Sequence, residues 1–289
     1  MNDKSKALIY ILLSTLSFAL MSVTIKYIQT IPVFEKVFFR NLVSLFVALF
    51  IILKTRPKKL EDFIGKKENQ IFLFSRASLG FLGVVLNFYA ITNLKLADSQ
   101  ILNRISPIWV SLFALLFLKE KLTKTQVFST IIALVGSILV IKPEFNFSKL
   151  PALSGFLSSI TAGGAYTLVR FLKNRENPSI IIFYFSLLSL VLSIPLMISN
   201  FILPTNFEIM ILLLTGVFAS FGQFGLTHAY KYAPASEVSI YTYTGIIFAI
   251  IIGLVLWKEI PDILSMLGGF LIIVSGYIVY KRVKSYSAT

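Results

Sequence analysis

Cysteine is absent from the 289-residue chain, and histidine occurs once, at His228. Without thiols there are no disulfides, no cysteine nucleophile and no thiolate metal site, and one imidazole builds neither a zinc centre nor a hydrolytic triad. Charged residues are sparse at 14%, and the 13 Asp and Glu all fall in loops or near the ends of apolar runs. A carboxylate deep in an apolar run, of the kind that exchanges protons or holds cations within a membrane, is therefore missing. No metal site, no cofactor and no enzyme activity is expected, since catalysis needs a convergent acid, base or metal set.

Apolar residues fill the chain instead: 56% of it is hydrophobic, with 27 Phe and a mean hydropathy of +0.84. That is more apolar surface than one soluble core can hide, so the chain belongs in a lipid bilayer. Runs of about 20 residues suit a hydrocarbon core about 30 Å thick. They fall near 7–28, 34–53, 70–92, 97–118, 124–142, 151–172, 179–199, 208–230, 236–257 and 262–281. The expected fold class is an all-α integral membrane protein of ten transmembrane helices. The first run is as long as a full span and lacks a small-residue cleavage site, so it is read as a helix rather than a signal peptide. The connection 54–69 is rich in charge and is expected to lie on the membrane surface as a short amphipathic helix.

A net charge of +14 invites a nucleic-acid partner, but the Lys and Arg sit between the apolar runs, where the positive-inside rule accounts for them. Counted on alternate sides they place both termini in the cytoplasm, with no nucleic acid as partner and the cytoplasmic membrane as location. Arg40, Arg76 and Arg104 fall inside spans.

The halves resemble each other. At one fixed offset Asp98 meets Glu237, Ala90 meets Ala229 and Lys119-Glu120 meets Lys258-Glu259; at a slightly longer one Lys26 meets Arg170, and Phe39-Arg40 meets Phe183-Tyr184. Five spans per half force the second copy to enter the membrane from the opposite face. The expected plan is two inverted five-helix repeats, 1–145 (spans one to five) and 146–289 (spans six to ten), which places a substrate site at the repeat interface near the midplane.

Polar residues gather on particular helix faces. In span three Arg76, Gly80, Gly83, Asn87 and Ala90 recur at helical spacing. Span four carries Gln100, Asn103, Arg104 and Pro107, a costly set inside lipid. Span eight adds Gln223 and Thr227, and span nine Tyr241, Thr242 and Tyr243. Small and hydroxylated residues also serve ordinary helix packing, but a charge at the bilayer centre costs about 2.5–3.5 kcal/mol and normally faces protein or water. The intramembrane charge is positive, which favours a substrate with a carboxylate, phosphate or other anionic group, held by Arg104 or Arg76 and by amides. The substrate-binding candidates are Arg104, Asn103, Gln100, Arg76, Asn87, Gln223, Thr227, Tyr241, Thr242 and Tyr243. Lys26, Arg40, Pro107, Glu120 and Glu259 are candidates for gating or structural roles. His228 is read as a packing histidine. Gly136, Gly268, Gly269 and Gly276 mark close helix contacts in spans five and ten, between halves or in a homodimer.

Lys26 before Phe39-Arg40, Arg76, Tyr89-Ala90 before Leu96-Ala97-Asp98, Ser106-Pro107, Leu118-Lys119-Glu120-Lys121, Gly136 before Ile141-Lys142-Pro143, and Lys258-Glu259 with Gly276 form a familiar order. With this spacing the chain resembles the drug/metabolite transporter superfamily, specifically members built from two EamA-type repeats. The resemblance implies a basket of ten helices around a cavity lined by spans one, three, four, six, eight and nine, and alternating access by rocking of the halves. The expected function is secondary transport of a small anionic or zwitterionic metabolite (an amino acid, organic acid, or nucleotide or vitamin derivative). A multidrug or amphiphile exporter, a lipid scramblase and a membrane enzyme are the alternatives.

Overall fold

The computed structural model describes residues 3–55, 61–118, 124–141, 149–172, 175–232, 242 and 244–286. Its helices are α1 (Asp3–Tyr27), α2 (Val33–Lys54), the short α3 (Glu61–Ile64), α4 (Gln70–Asn93), α5 (Leu96–Asn103), α6 (Ser106–Leu118), α7 (Lys124–Ile141), α8 (Leu150–Leu172), α9 (Pro178–Ile198), α10 (Asn206–Tyr232), α11 (Thr244–Trp257) and α12 (Ile263–Tyr286). There is no strand among the described residues. Six of these segments are long and apolar enough to cross a membrane, and α7, α11 and α12 contain shorter apolar stretches. Large apolar side chains such as Phe50, Phe117 and Ile198 stand outward, while Ser44, Ser158 and Ser186 are buried. With its apolar side outside, the chain is an all-α integral membrane protein.

Local chemistry sets the helix ends. Pro178 opens α9 behind Asn177, whose side chain accepts from the Ser179 amide at 3.0 Å. At the start of α10, Thr205 and Glu208 cap each other reciprocally: the Thr205 N–H donates to Glu208 Oε2 at 2.8 Å, and the Glu208 N–H to Thr205 Oγ1 at 3.3 Å. The charged connection between spans two and three contains α3 and a 3₁₀ turn at Lys67–Asn69. Glu176 pins it from the second half, accepting from the Lys66 amide at 2.8 Å and from Asn69 Nδ2 at 2.6 Å.

The fourth apolar run is broken. α5 stops at Asn103 and α6 starts at Ser106, with Pro107 in its first turn. Proline has no N–H to offer the Asn103 carbonyl and its ring crowds that carbonyl, so the regular ladder lapses there. Tighter bonds bridge the gap, Ile105 N–H to Leu102 O at 3.3 Å and Ile108 N–H to Ile105 O at 2.9 Å. Arg104 sits in the break.

The helices pair in a reciprocal way. α1 runs along α10 and α4 along α8; α2 lies on α9, α5 on α11 and α7 on α12. Cutting the chain between α7 and α8 makes each of these a contact between halves, and exchanging the halves maps the set onto itself. The glycines follow the same rule: a Cβ on Gly136 would lie 2.8 Å from the Gly268 carbonyl, and one on Gly268 2.5 Å from the Gly136 carbonyl. These glycines therefore let α7 and α12 touch backbone to backbone within one chain.

Candidate functional site

A cavity of about 120 Å³ lies where α1, α4, the α5–α6 break, α8 and α10 converge, with Thr242 also on its wall. At one end stand Arg40 of α2 and Arg76 of α4, only 3% and 2% exposed. Glycine makes this possible: a Cβ on Gly80 would come within 2.9 Å of the Phe185 ring and 3.0 Å of Arg76 Nη1. The Arg76 guanidinium occupies the slot so left. Both guanidiniums lie over the ring of Phe185, with Cζ at 4.9 Å for Arg40 and 4.2 Å for Arg76 from the ring centroid.

A ring face attracts a cation by about 0.5–2 kcal/mol but accepts none of its in-plane N–H groups. Arg40 Nη1 donates to Asn41 Oδ1 at 2.5 Å, whereas Arg40 Nε, Arg76 Nε and Arg76 Nη1 are buried without an acceptor. No Asp or Glu lines the cavity among the described residues. A buried ion costs several kcal/mol when nothing compensates it, and the Phe185 ring offsets only part of that for these two guanidiniums.

Toward the other end, the side chains of the broken span meet those of α1 and α4. Gln100 Nε2 donates to Ser22 Oγ at 2.9 Å, Arg104 Nη2 to Gln100 Oε1 at 3.4 Å, and Asn103 Nδ2 to Asn87 Oδ1 at 3.4 Å. Gly245 at the head of α11 makes room for Arg104, because a Cβ there would collide with Arg104 Nη2.

Beyond the cavity, at the end where α1 finishes, Lys26 meets Glu259. Their side chains pair at 2.5 Å; Lys26 Nζ also donates to Leu94 O at 2.8 Å, and Glu259 Oε2 accepts from the Leu96 amide at 3.0 Å. The C-terminal turn of α11 aims Glu259 there. Lys258 adopts φ +54, and its N–H donates to Leu254 O at 3.1 Å, the bond of an αL cap, while the Glu259 N–H donates to Gly253 O at 3.1 Å. Ile25, Phe88, Ile91 and Leu96 pack beneath the pair and are buried.

Of the expected binding residues, Arg104, Asn103, Gln100, Arg76, Asn87, Gln223 and Thr242 line the cavity, and so do Arg40 and Pro107 from the gating or structural set. Thr227 does not; its Oγ1 donates to Gln223 O at 2.8 Å on its own helix. Tyr241, Tyr243 and Glu120 lie outside the described residues. His228 packs against Tyr10, with Nδ1 2.8 Å from Phe224 O. Phe185 is the residue that sequence reading missed, because nothing distinguishes it among 27 Phe.

The model of the EamA-like transporter family matches the chain twice, over residues 5–142 and 149–281. The chain belongs to the EamA-like transporter family. This EamA-like transporter is 33% identical over 267 residues to the pseudopaline exporter of Pseudomonas aeruginosa, covering 91% of this chain and 92% of that one. It is 26% identical to human solute carrier family 35 member G1, over 93% of this chain and 77% of that one. Over its full length, 100% of this chain and 98% of the other, it is 24% identical to the S-adenosylmethionine uptake transporter of Rickettsia prowazekii. A solved crystal structure shares its fold with a TM-score of 0.69 at 14% identity, covering 96% of this chain and 97% of that one. The protein is thus a multi-pass transporter of the drug/metabolite transporter superfamily and not an enzyme; its partners are a small-molecule substrate and the lipid bilayer.

Proposed function

We propose that this transporter moves a small organic metabolite with a carboxylate or phosphate group across the cytoplasmic membrane, by alternating access of two inverted five-helix repeats, 1–145 and 146–289. The observation that carries the reading is the pair Arg40 and Arg76: two buried guanidiniums facing the cavity, with acceptor-less N–H groups and no carboxylate among the described residues of the cavity wall. An anion would take up those donors in bidentate fashion. Asn87, Asn103, Gln100 and Gln223 would orient the remainder of the substrate, so a zwitterion also fits.

The reciprocal helix pairing and the mutual contact of Gly136 and Gly268 support the inverted repeat. Five crossings per half, as the apolar runs predict, would insert the second half from the opposite face. With both termini cytoplasmic by the positive-inside rule, the Lys26–Glu259 pair faces the outside and closes the cavity on that side. Alternating access then requires this pair to part and the opposite end to close. A homodimer through α7 and α12 would use their outward faces, where Phe128, Ile131, Met266 and Phe270 are exposed.

A thermal-shift screen of the purified protein against organic acids, amino acids, nucleosides and cationic drugs tests the substrate class, because a ligand stabilises the state it binds. Anionic or zwitterionic compounds are expected to raise the melting temperature of the wild type and to leave Arg76→Gln unchanged. Stabilisation by cationic drugs alone would overturn the reading.

A further inference from the structure

We infer that Phe185 is a positioning residue of the anion site: its ring holds Arg40 and Arg76 by their faces and leaves their N–H edges to the substrate. This rests on the anion reading above. Phe185 is buried on α9, a helix that packs on both α2 and α4, and it lines the cavity. Arg40 Cζ and Arg76 Cζ stand 4.9 and 4.2 Å from its ring centroid. The two Cζ atoms therefore lie no further apart than those two distances together, and like charges that close repel each other.

Two kinds of group can hold a buried guanidinium in such a place. A carboxylate offsets the charge, but it accepts the same in-plane N–H groups that an anionic substrate needs. A ring attracts the cation through its face and accepts none of them. This site has the second kind. Arg40 Nε, Arg76 Nε and Arg76 Nη1 keep no acceptor, and no Asp or Glu lines the cavity among the described residues. Gly80 allows the approach, since a Cβ there would lie 2.9 Å from Phe185 Cε2 and 3.0 Å from Arg76 Nη1. Ring and guanidinium share the gap that glycine leaves. Without the ring face the two cations repel each other toward other partners, and an anion must first bring them back.

The test measures the acid preference of the purified protein by titrating succinate against succinamide, benzoate against benzamide, and glycerol 3-phosphate against glycerol. The wild type should prefer the acid in at least one pair. Phe185→Leu keeps an apolar side chain but loses the ring face. Replacing Phe185 by pentafluorophenylalanine through nonsense suppression keeps the shape of the ring and reverses its quadrupole. Both changes should cut the acid preference at least about tenfold, the scale of one charged hydrogen bond, and Phe185→Tyr, which keeps the face, should retain it. The melting temperature of each unliganded variant confirms that it is folded. An acid preference unchanged or raised by pentafluorophenylalanine overturns the inference and leaves Phe185 a space-filling residue. If Arg76→Gln removes the preference while both Phe185 replacements keep it, the anion site survives and only the role of the ring fails. If the wild type prefers the acid in no pair, both fall.

Discussion

At Arg76 the proposed function and the stability of the fold pull in opposite directions. Its guanidinium is buried, lies over Phe185 and lacks acceptors for Nε and Nη1. Arg76→Met removes an uncompensated ion and keeps most of the volume. The unliganded variant is expected to be more stable by about 1–3 kcal/mol, of the order of what replacing buried charge returns, while ligand binding is lost. Thermal unfolding with and without an organic acid measures both. Gly245→Ala makes a second prediction at this scale. The new methyl group collides with Arg104, so the variant should lose substrate affinity, and a further Arg104→Ala change should relieve the strain seen in its melting temperature. A double-mutant cycle reads the coupling.

The elements show how far the sequence can be read. The six long apolar spans, the helical turns in the charged connection and the polar stripe of α4 are legible, because hydrophobic run length and helical spacing are local signals. Arg76, Asn87, Gln100, Asn103 and Arg104 are legible for the same reason: a polar group in an apolar run stands out. Phe185 is not, since a Phe among apolar neighbours is silent until the fold brings two arginines to its ring. Arg40 is legible only in part. Near the end of its run it reads as a gating or structural residue, but the packing of α2 on α9 carries its side chain to Phe185 and the cavity.

Two changes test elements directly. Pro107→Ala restores the missing N–H and removes the ring that opens the break. It should extend helical hydrogen bonding through Arg104, visible as slower amide exchange over 103–107, and weaken substrate binding by displacing Arg104. Lys258→Gly should stabilise the protein by about 1 kcal/mol, because φ +54 costs a side-chain-bearing residue energy that glycine does not incur. Thermal unfolding of the unliganded protein measures it.

At the scale of the molecule, the paired halves suggest how the cavity changes its access. Lys26 and Glu259 join the first half to the second at the end where α1 finishes. Breaking that pair with Glu259→Gln should favour the conformation open at that end. The absence of native cysteine makes the readout clean: a cysteine in place of Ser22, on the cavity wall about one turn below Lys26, should react several-fold faster with an impermeant thiol reagent added from outside. Slower or unchanged labelling would count against a latch at that end.

The central claim is that buried arginines select an anionic metabolite. Proteoliposomes holding the wild-type protein or Arg76→Gln, loaded with a bacterial metabolite extract and followed by mass spectrometry, test it across many candidate substrates at once. Selective loss of one or more carboxylate- or phosphate-bearing compounds from wild-type vesicles, and none from Arg76→Gln, is the predicted result. Loss of only cationic or neutral compounds, or equal loss from both preparations, would contradict it.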